Sequence, residues 1–284
     1  MTQATNSNLL PAHPARRYNP AGICIYCGSK ENLSDEHIVP YALGGRWILP
    51  QASCAGCSAI TKKFEQTCLR TILGPLRMYF GFPTRRQKER PKTLRLKVKY
   101  NLEEDWSEVD YSQKDYPFLI IFPHYNLPNE ISGIVADGVR DSSARTFWIR
   151  GANLGQNIQA RLEQICQQLQ VAAVMPIANF HTHEFCLMLA KIAHAFAAAE
   201  LGVHAFHPFV TNMIVNTDTS NAARCIGGLA AAEPLSKNLH EVSFDTKVSI
   251  NPEIIAVRIR LLAVFEAPTY YVAVGRRALR PQAG

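Results

Sequence analysis

The chain has 284 residues, 47% of them hydrophobic and 19% charged, enough apolar material for one large domain or two modest ones around a real core. A formal net charge of +7 points to an anionic partner. An ordinary membrane-spanning helix needs about 18 or more apolar residues in a row, and the best stretch, residues 185–201, is interrupted by Lys191 and His194.

Residues 1–19 carry no apolar run of signal-peptide length and no cleavage pattern, and are expected to be a flexible tail. Two Cys-x-x-Cys pairs follow, Cys24/Cys27 and Cys54/Cys57, separated by 26 residues. Four soft ligands paired in this way suit a tetrahedral zinc, and four thiolates leave no open position, so the ion is expected to be structural. In a reducing compartment Cys68, Cys166, Cys186 and Cys225 then read as small core residues, and the chain is expected to be soluble and cytoplasmic.

Between the two pairs, "SDEHIVP" (34–40) reads as a short strand stopped at Pro40. Gly44 and Gly45 turn the chain, and "RWILP" (46–50) makes a second strand. After Cys57, Ile60, Phe64, Cys68 and Ile72 recur every four residues along one helical face, with Ser58, Thr61 and Glu65 as a polar stripe beside it. A hairpin packed on that helix turns the stripe toward Glu36 and His37, forming a cup of donors for a second, hard cation. Such a cup suits phosphodiester hydrolysis, with Glu36 holding a divalent ion at the scissile phosphate and His37 taking a proton from the attacking water. Ser58 reads equally as a helix N-cap, and Asp35 as a turn or orienting residue.

Residues 62–99 hold twelve Lys or Arg against two acids, Glu65 and Glu89. Arg70, Arg77, Arg85, Arg86, Lys88, Arg90 and Lys92 are expected to lie along the phosphates of DNA. Gly74, Pro75, Gly81, Pro83 and Pro91 are expected to break any helix in this stretch. Beyond it, residues 116–122 and 144–151 read as strands, 157–170 as an amphipathic helix, and 183–202 as a mostly buried helix closed by Gly202. Three segments near the end alternate apolar and polar like neighbouring antiparallel strands. His181, His183 and Glu184 lack the i, i+4 spacing of a helix-borne metal site and read as the start of a helix. Lys191 and His194 either line a pocket or, for the histidine, sit satisfied in the core.

The combined pattern, CxxC, then DEHIVP, GG and ASCxxC with a following Glu, resembles the HNH endonuclease family in its branch with two zinc knuckles. That resemblance implies a ββα-metal finger, with Glu36 as metal ligand and His37 as general base. The family carries Asn or His directly after the fourth cysteine, where this chain has Ser58; an Asn common before the third cysteine is replaced by the neighbourhood of Gln51 and Ser53. Glu65 is expected to substitute as ligand from the next turns of the helix, directly or through water, the alternative being an ordinary exposed helical glutamate. The expected class is α+β: a tail (1–19), a zinc-clamped HNH finger (20–73), a basic connector (74–100) and an α+β domain of unknown role (101–284). The expected function is metal-dependent DNA hydrolysis with structural Zn2+ and catalytic Mg2+ or another divalent ion. The alternative is a degenerate finger that binds nucleic acid without cutting it, and no membrane role is expected.

Overall fold

The computed structural model describes residues 10–84, 87–117, 119–133, 146–151, 157–229, 233–265 and 267–278. The N-terminal part is a small sheet on a helix. Strand β1 (Arg16–Arg17) runs parallel to β3 (Trp47–Ser53), and β2 (Ser34–His37) pairs with β3 in antiparallel fashion, with Glu36 opposite Leu49 and His37 opposite Ile48. The turn between β2 and β3 depends on its glycines. Gly44 has φ of +79°, and a Cβ on Gly45 would stand 2.0 Å from the Val39 carbonyl oxygen.

Helix α1 (Ala55–Arg70) follows and buries Phe64, Cys68 and Leu69 on one side, with Ile60 partly covered, as its four-residue repeat requires. A short helix α2 (Gly74–Tyr79) then forms where the Gly and Pro residues were expected to prevent one. Pro75 stands in its first turn, where no intrahelical N–H is needed, so the ring is tolerated.

Beyond α2 the chain builds three further sheets. β4 (Thr93–Lys99), inside the basic stretch, is the centre of one, flanked by β5 (Ser107–Ser112) and β8 (Ala173–Pro176). β6 (Leu119–His124) pairs with β7 (Thr146–Gly151), with helix α3 (Asn129–Ser132) between them in sequence. Helix α4 (Ile158–Leu169) leads into β8. Helix α5 (Thr182–Leu201) is followed by β9 (Phe206–Pro208) and the short helices α6 (Thr211–Asn216) and α7 (Ala222–Cys225). β10 (Ile226–Leu229), β11 (Glu241–Phe244), β12 (Ile254–Arg260) and β13 (Thr269–Arg277) form a sheet of order β10-β13-β12-β11, with β9 pairing on β13. The protein is thus α+β, and the expected strands and helices of the second half are present.

One feature of the last sheet departs from its sequence pattern. β12 and β13 are buried along nearly their whole length rather than on alternate residues. Helix α5 covers one face, and on the other Ile254, Ala256, Tyr271 and Ala273 form a second apolar cluster with Ile131 of α3. Helix α5 is buried from residue 185 to residue 198 and packs against α1 on one side and the β13 sheet on the other. A single apolar cluster therefore runs from Cys24 in the finger to Val274 in β13.

Candidate active site

The first knuckle is a tight turn. The Gly28 amide donates to the Cys24 carbonyl at 2.9 Å, and the Cys24 amide donates to the Ser29 carbonyl at 2.7 Å, with Gly28 in the left-handed region. The second knuckle is the start of α1. Cys54, in extended backbone, is the N-cap, and its sulfur accepts from the Cys57 amide at 3.5 Å. Ser58 therefore lies inside the helix and does not cap it. The four sulfurs lie within 4.8 Å of one another, and Cys27 Sγ is 3.6 Å from Cys54 Sγ. Zn–S bonds of about 2.3 Å in a tetrahedron imply S···S edges of about 3.8 Å, so the donor set fits a zinc. The hydrogen bond from the Cys57 amide favours a thiolate at Cys54 and draws its thiol down to about 7, although burial opposes it. Among the described residues this is the group of His, Cys, Asp or Glu side chains placed to hold a metal.

Strand β2 sends successive side chains to opposite sides. Asp35 points outward and pairs with Arg17 at 2.9 Å. Glu36 points inward and is only 7% exposed. His37 is half-buried and lies edge-on to Tyr41, with ring centroids 5.6 Å apart. Asp35, Glu36, His37, Ser58, Thr61 and Glu65 all line one cleft of about 450 Å³, so the hairpin and the polar stripe of α1 do converge. Thr61 is buried in its wall and donates its hydroxyl to the Ser58 carbonyl at 3.3 Å.

A residue from far along the chain completes this cleft. Lys191 of α5 is 1% exposed, and its Nζ lies 2.6 Å from Glu36 Oε1 and 2.8 Å from Glu65 Oε1. The same ammonium donates to the His37 carbonyl. Burial opposes the ammonium, but the two carboxylates outweigh it and lift Lys191 to about 12. For Glu65 burial dominates and, with the Glu36 charge, moves its carboxyl upward in spite of Lys191. The Tyr26 hydroxyl is enclosed beside these groups; burial first, then Glu36 and Glu65, hold it well above the ordinary phenol range.

Two more polar side chains of α5 reach the finger. His194 Nε2 is 2.7 Å from the Ile25 carbonyl, and Glu200 accepts from the Tyr18 hydroxyl at 2.6 Å and pairs with Arg16. The sequence signal for Lys191 was a single charge in an apolar helix; Tyr26 carried none.

The basic residues divide into several environments. Arg70, Lys88 and Lys92 are exposed, and Lys62 joins Arg70 on the cleft lining. Arg77 also reaches the cleft, but its guanidinium donates to the Ala42 carbonyl at 2.7 Å and the Leu69 carbonyl at 2.6 Å, tying the β2–β3 turn to α1. Burial lowers it to about 10. Arg90 donates to the Phe82 carbonyl, and Arg85 and Arg86 lie outside the described residues. His181 is the N-cap of α5, His183 bonds Thr219 at 2.9 Å, and the helix-start reading of this segment holds.

The cysteine clamp, the hairpin and the helix it closes onto are the parts of a zinc-knuckle finger, and the corresponding segment, residues 24–71, matches the HNH endonuclease family. No curated protein and no solved structure matches the chain. No helix among the described residues is long and apolar enough to cross a membrane.

The divalent ion expected from the sequence does not fit the acidic cup of Glu36 and Glu65 as it is arranged. Its carboxylates have the right chemistry, but they close on an ammonium at 2.6 and 2.8 Å, whereas Mg2+ takes oxygens at about 2.0–2.1 Å.

Proposed function

We propose that the chain is a nuclease that hydrolyses phosphodiester bonds in DNA at the cleft beside His37. The observation that supports this most is the position of His37. Its neighbour on the strand, Glu36, is buried in the wall of the cleft, while the half-buried His37 lines the same polar cleft, whose lining also carries cationic side chains. An imidazole so placed takes a proton from a water molecule, whose oxygen bonds to the phosphorus as the P–O3′ bond breaks and the O3′ oxygen takes up a proton from solvent. Lys62 and Arg70 neutralise backbone phosphates and set the strand along the cleft, a contact that carries no base information. The zinc clamp holds the hairpin against α1, and so fixes the imidazole relative to the cleft wall.

Plasmid nicking by the purified full chain tests this reading. Wild type is expected to convert supercoiled to open-circular DNA, and His37→Ala is expected to lose that activity while keeping its zinc. Equal nicking by the two proteins would remove the nuclease assignment. A binding module without hydrolysis is the second reading, favoured by the engagement of both acidic cup residues with Lys191. It predicts DNA affinity in wild type and no nicking in either protein.

A further inference from the structure

Lys191 is the one charged residue in the buried span 185–198 of α5. An ammonium removed from water is strongly disfavoured unless paired, so its partners define why it is there. Those partners come from two different elements of the finger: Glu36 from β2 and Glu65 from α1, joined by the backbone carbonyl of His37. Two carboxylates and a carbonyl converging from separate elements are the oxygen donors by which proteins hold hard cations. Without a cation between them the carboxylates would repel one another across a poorly hydrated space.

We propose that Lys191 is the resident cation of this cup: an ammonium tethered on α5 that takes the place of a divalent ion between Glu36 and Glu65. Two consequences follow from the geometry. The cup is closed to a second divalent cation, because a metal at that point would have to displace Nζ and draw the oxygens in by about 0.5–0.8 Å. Lys191 is also a positioning residue for His37, since it holds both the preceding carboxylate and the His37 carbonyl, and so ties the end of β2 to α5. The C-terminal part of the chain is then a component of the finger's site. This inference concerns what occupies the cup and stands apart from whether the cleft cuts DNA.

The test is Mn2+ titration of the full-length, zinc-loaded protein, followed by electron paramagnetic resonance, with zinc content measured in parallel. Wild type is expected to show no Mn2+ site that depends on Glu36. Lys191→Met, whose unbranched side chain is one heavy atom shorter and carries no charge, is expected to gain one Mn2+ site at least tenfold tighter than any in wild type. Adding Glu36→Gln to that variant should abolish the new site, and Lys191→Arg, which retains a cation, should leave the cup closed. A folded Lys191→Met that gains no Mn2+ site would overturn the proposal. So would a Mn2+ site in wild type that Glu36→Gln alone removes, and this comparison decides the matter even if Lys191→Met does not fold.

Discussion

The finger has two places built to surround a cation, and they are assembled in opposite ways. The sulfur clamp draws all its donors from residues 24–57 of one continuous stretch, each pair delivered by a tight local turn. The acidic cup takes a carboxylate from β2 and another from α1, and receives its cation from α5, whose Lys191 is 154 residues from His37. The clamp is soft, local and closed by its own ligands. The cup is hard, non-local and closed by the packing of the rest of the molecule. A change in the clamp should therefore abolish the finger, whereas a change in the cup should alter how the finger is joined to the C-terminal part.

The largest expected effect is on the clamp. Cys24→Ser or Cys57→Ser should release zinc and unfold the finger, because the binding energy of structural zinc, on the order of 10 kcal/mol, is folding energy. Retained zinc stoichiometry with an unchanged melting profile would contradict the four-sulfur site. Because the apolar cluster of the finger continues into α5, the loss should also lower the denaturation midpoint of the whole chain.

Next comes the cup. Lys191→Ala leaves Glu36 and Glu65 facing each other without a countercharge, which should cost about 3–5 kcal/mol in urea unfolding. Adding Glu36→Gln and Glu65→Gln to that variant should recover part of the loss by removing the repulsion. If the triple variant is no more stable than Lys191→Ala alone, the ion pairs do not account for the effect.

These two sites also mark what was legible in the sequence. Cysteine spacing is a local signal, and the stripe of Phe64 and Cys68 is another, so the clamp and the buried face of α1 followed directly. The expectation that Glu36, His37, Ser58 and Glu65 share one cleft also followed, since hairpin and helix are sequence neighbours. The partner of Glu36 did not follow. An isolated lysine in an apolar helix states that a counter-charge exists, but the chain's path decides which one. The last sheet misled for a related reason: alternation implies one wet face, and only the tertiary packing shows α5 on one side and the Ile131 cluster on the other. At α2 a proline reads as a breaker from composition alone, whereas its place in the first turn makes it compatible with the helix. Ser58 competed for the cap with Cys54, and the geometry of the second knuckle gave that position to the cysteine.

A smaller effect is expected at the junction of the β2–β3 turn with the last sheet. His240 is buried, its Nε2 lies 2.7 Å from the Leu43 carbonyl, and its Nδ1 accepts from the Leu262 amide at 3.1 Å. Burial lowers it to about 3, with the Leu43 carbonyl opposing and the neighbouring His13 assisting. The unfolded chain therefore takes up a proton near pH 6.5 that the folded chain refuses. Stability is fully present above that pH and is lost as pH falls toward 3, by about 2 kcal/mol between pH 6.5 and 5. His240→Asn should flatten this part of the stability–pH curve. An unchanged slope at constant zinc content would show that His240 is not held neutral by its burial.

The smallest effect is on the rim. Lys62→Glu with Arg70→Glu should weaken binding to all DNA sequences alike, with log affinity against log salt becoming shallower by about 2. A change confined to particular sequences would place base-reading contacts, not phosphates, at these residues.

The central claim is that His37 is the base of a DNA-cutting cleft whose fold is set by the zinc clamp. Single-turnover cleavage by His37→Ala, with DNA affinity and zinc content measured on the same preparation, tests it most directly. The account predicts a rate lower by roughly two to four orders of magnitude, with affinity and zinc unchanged. A His37→Ala protein that cuts at the wild-type rate would contradict it.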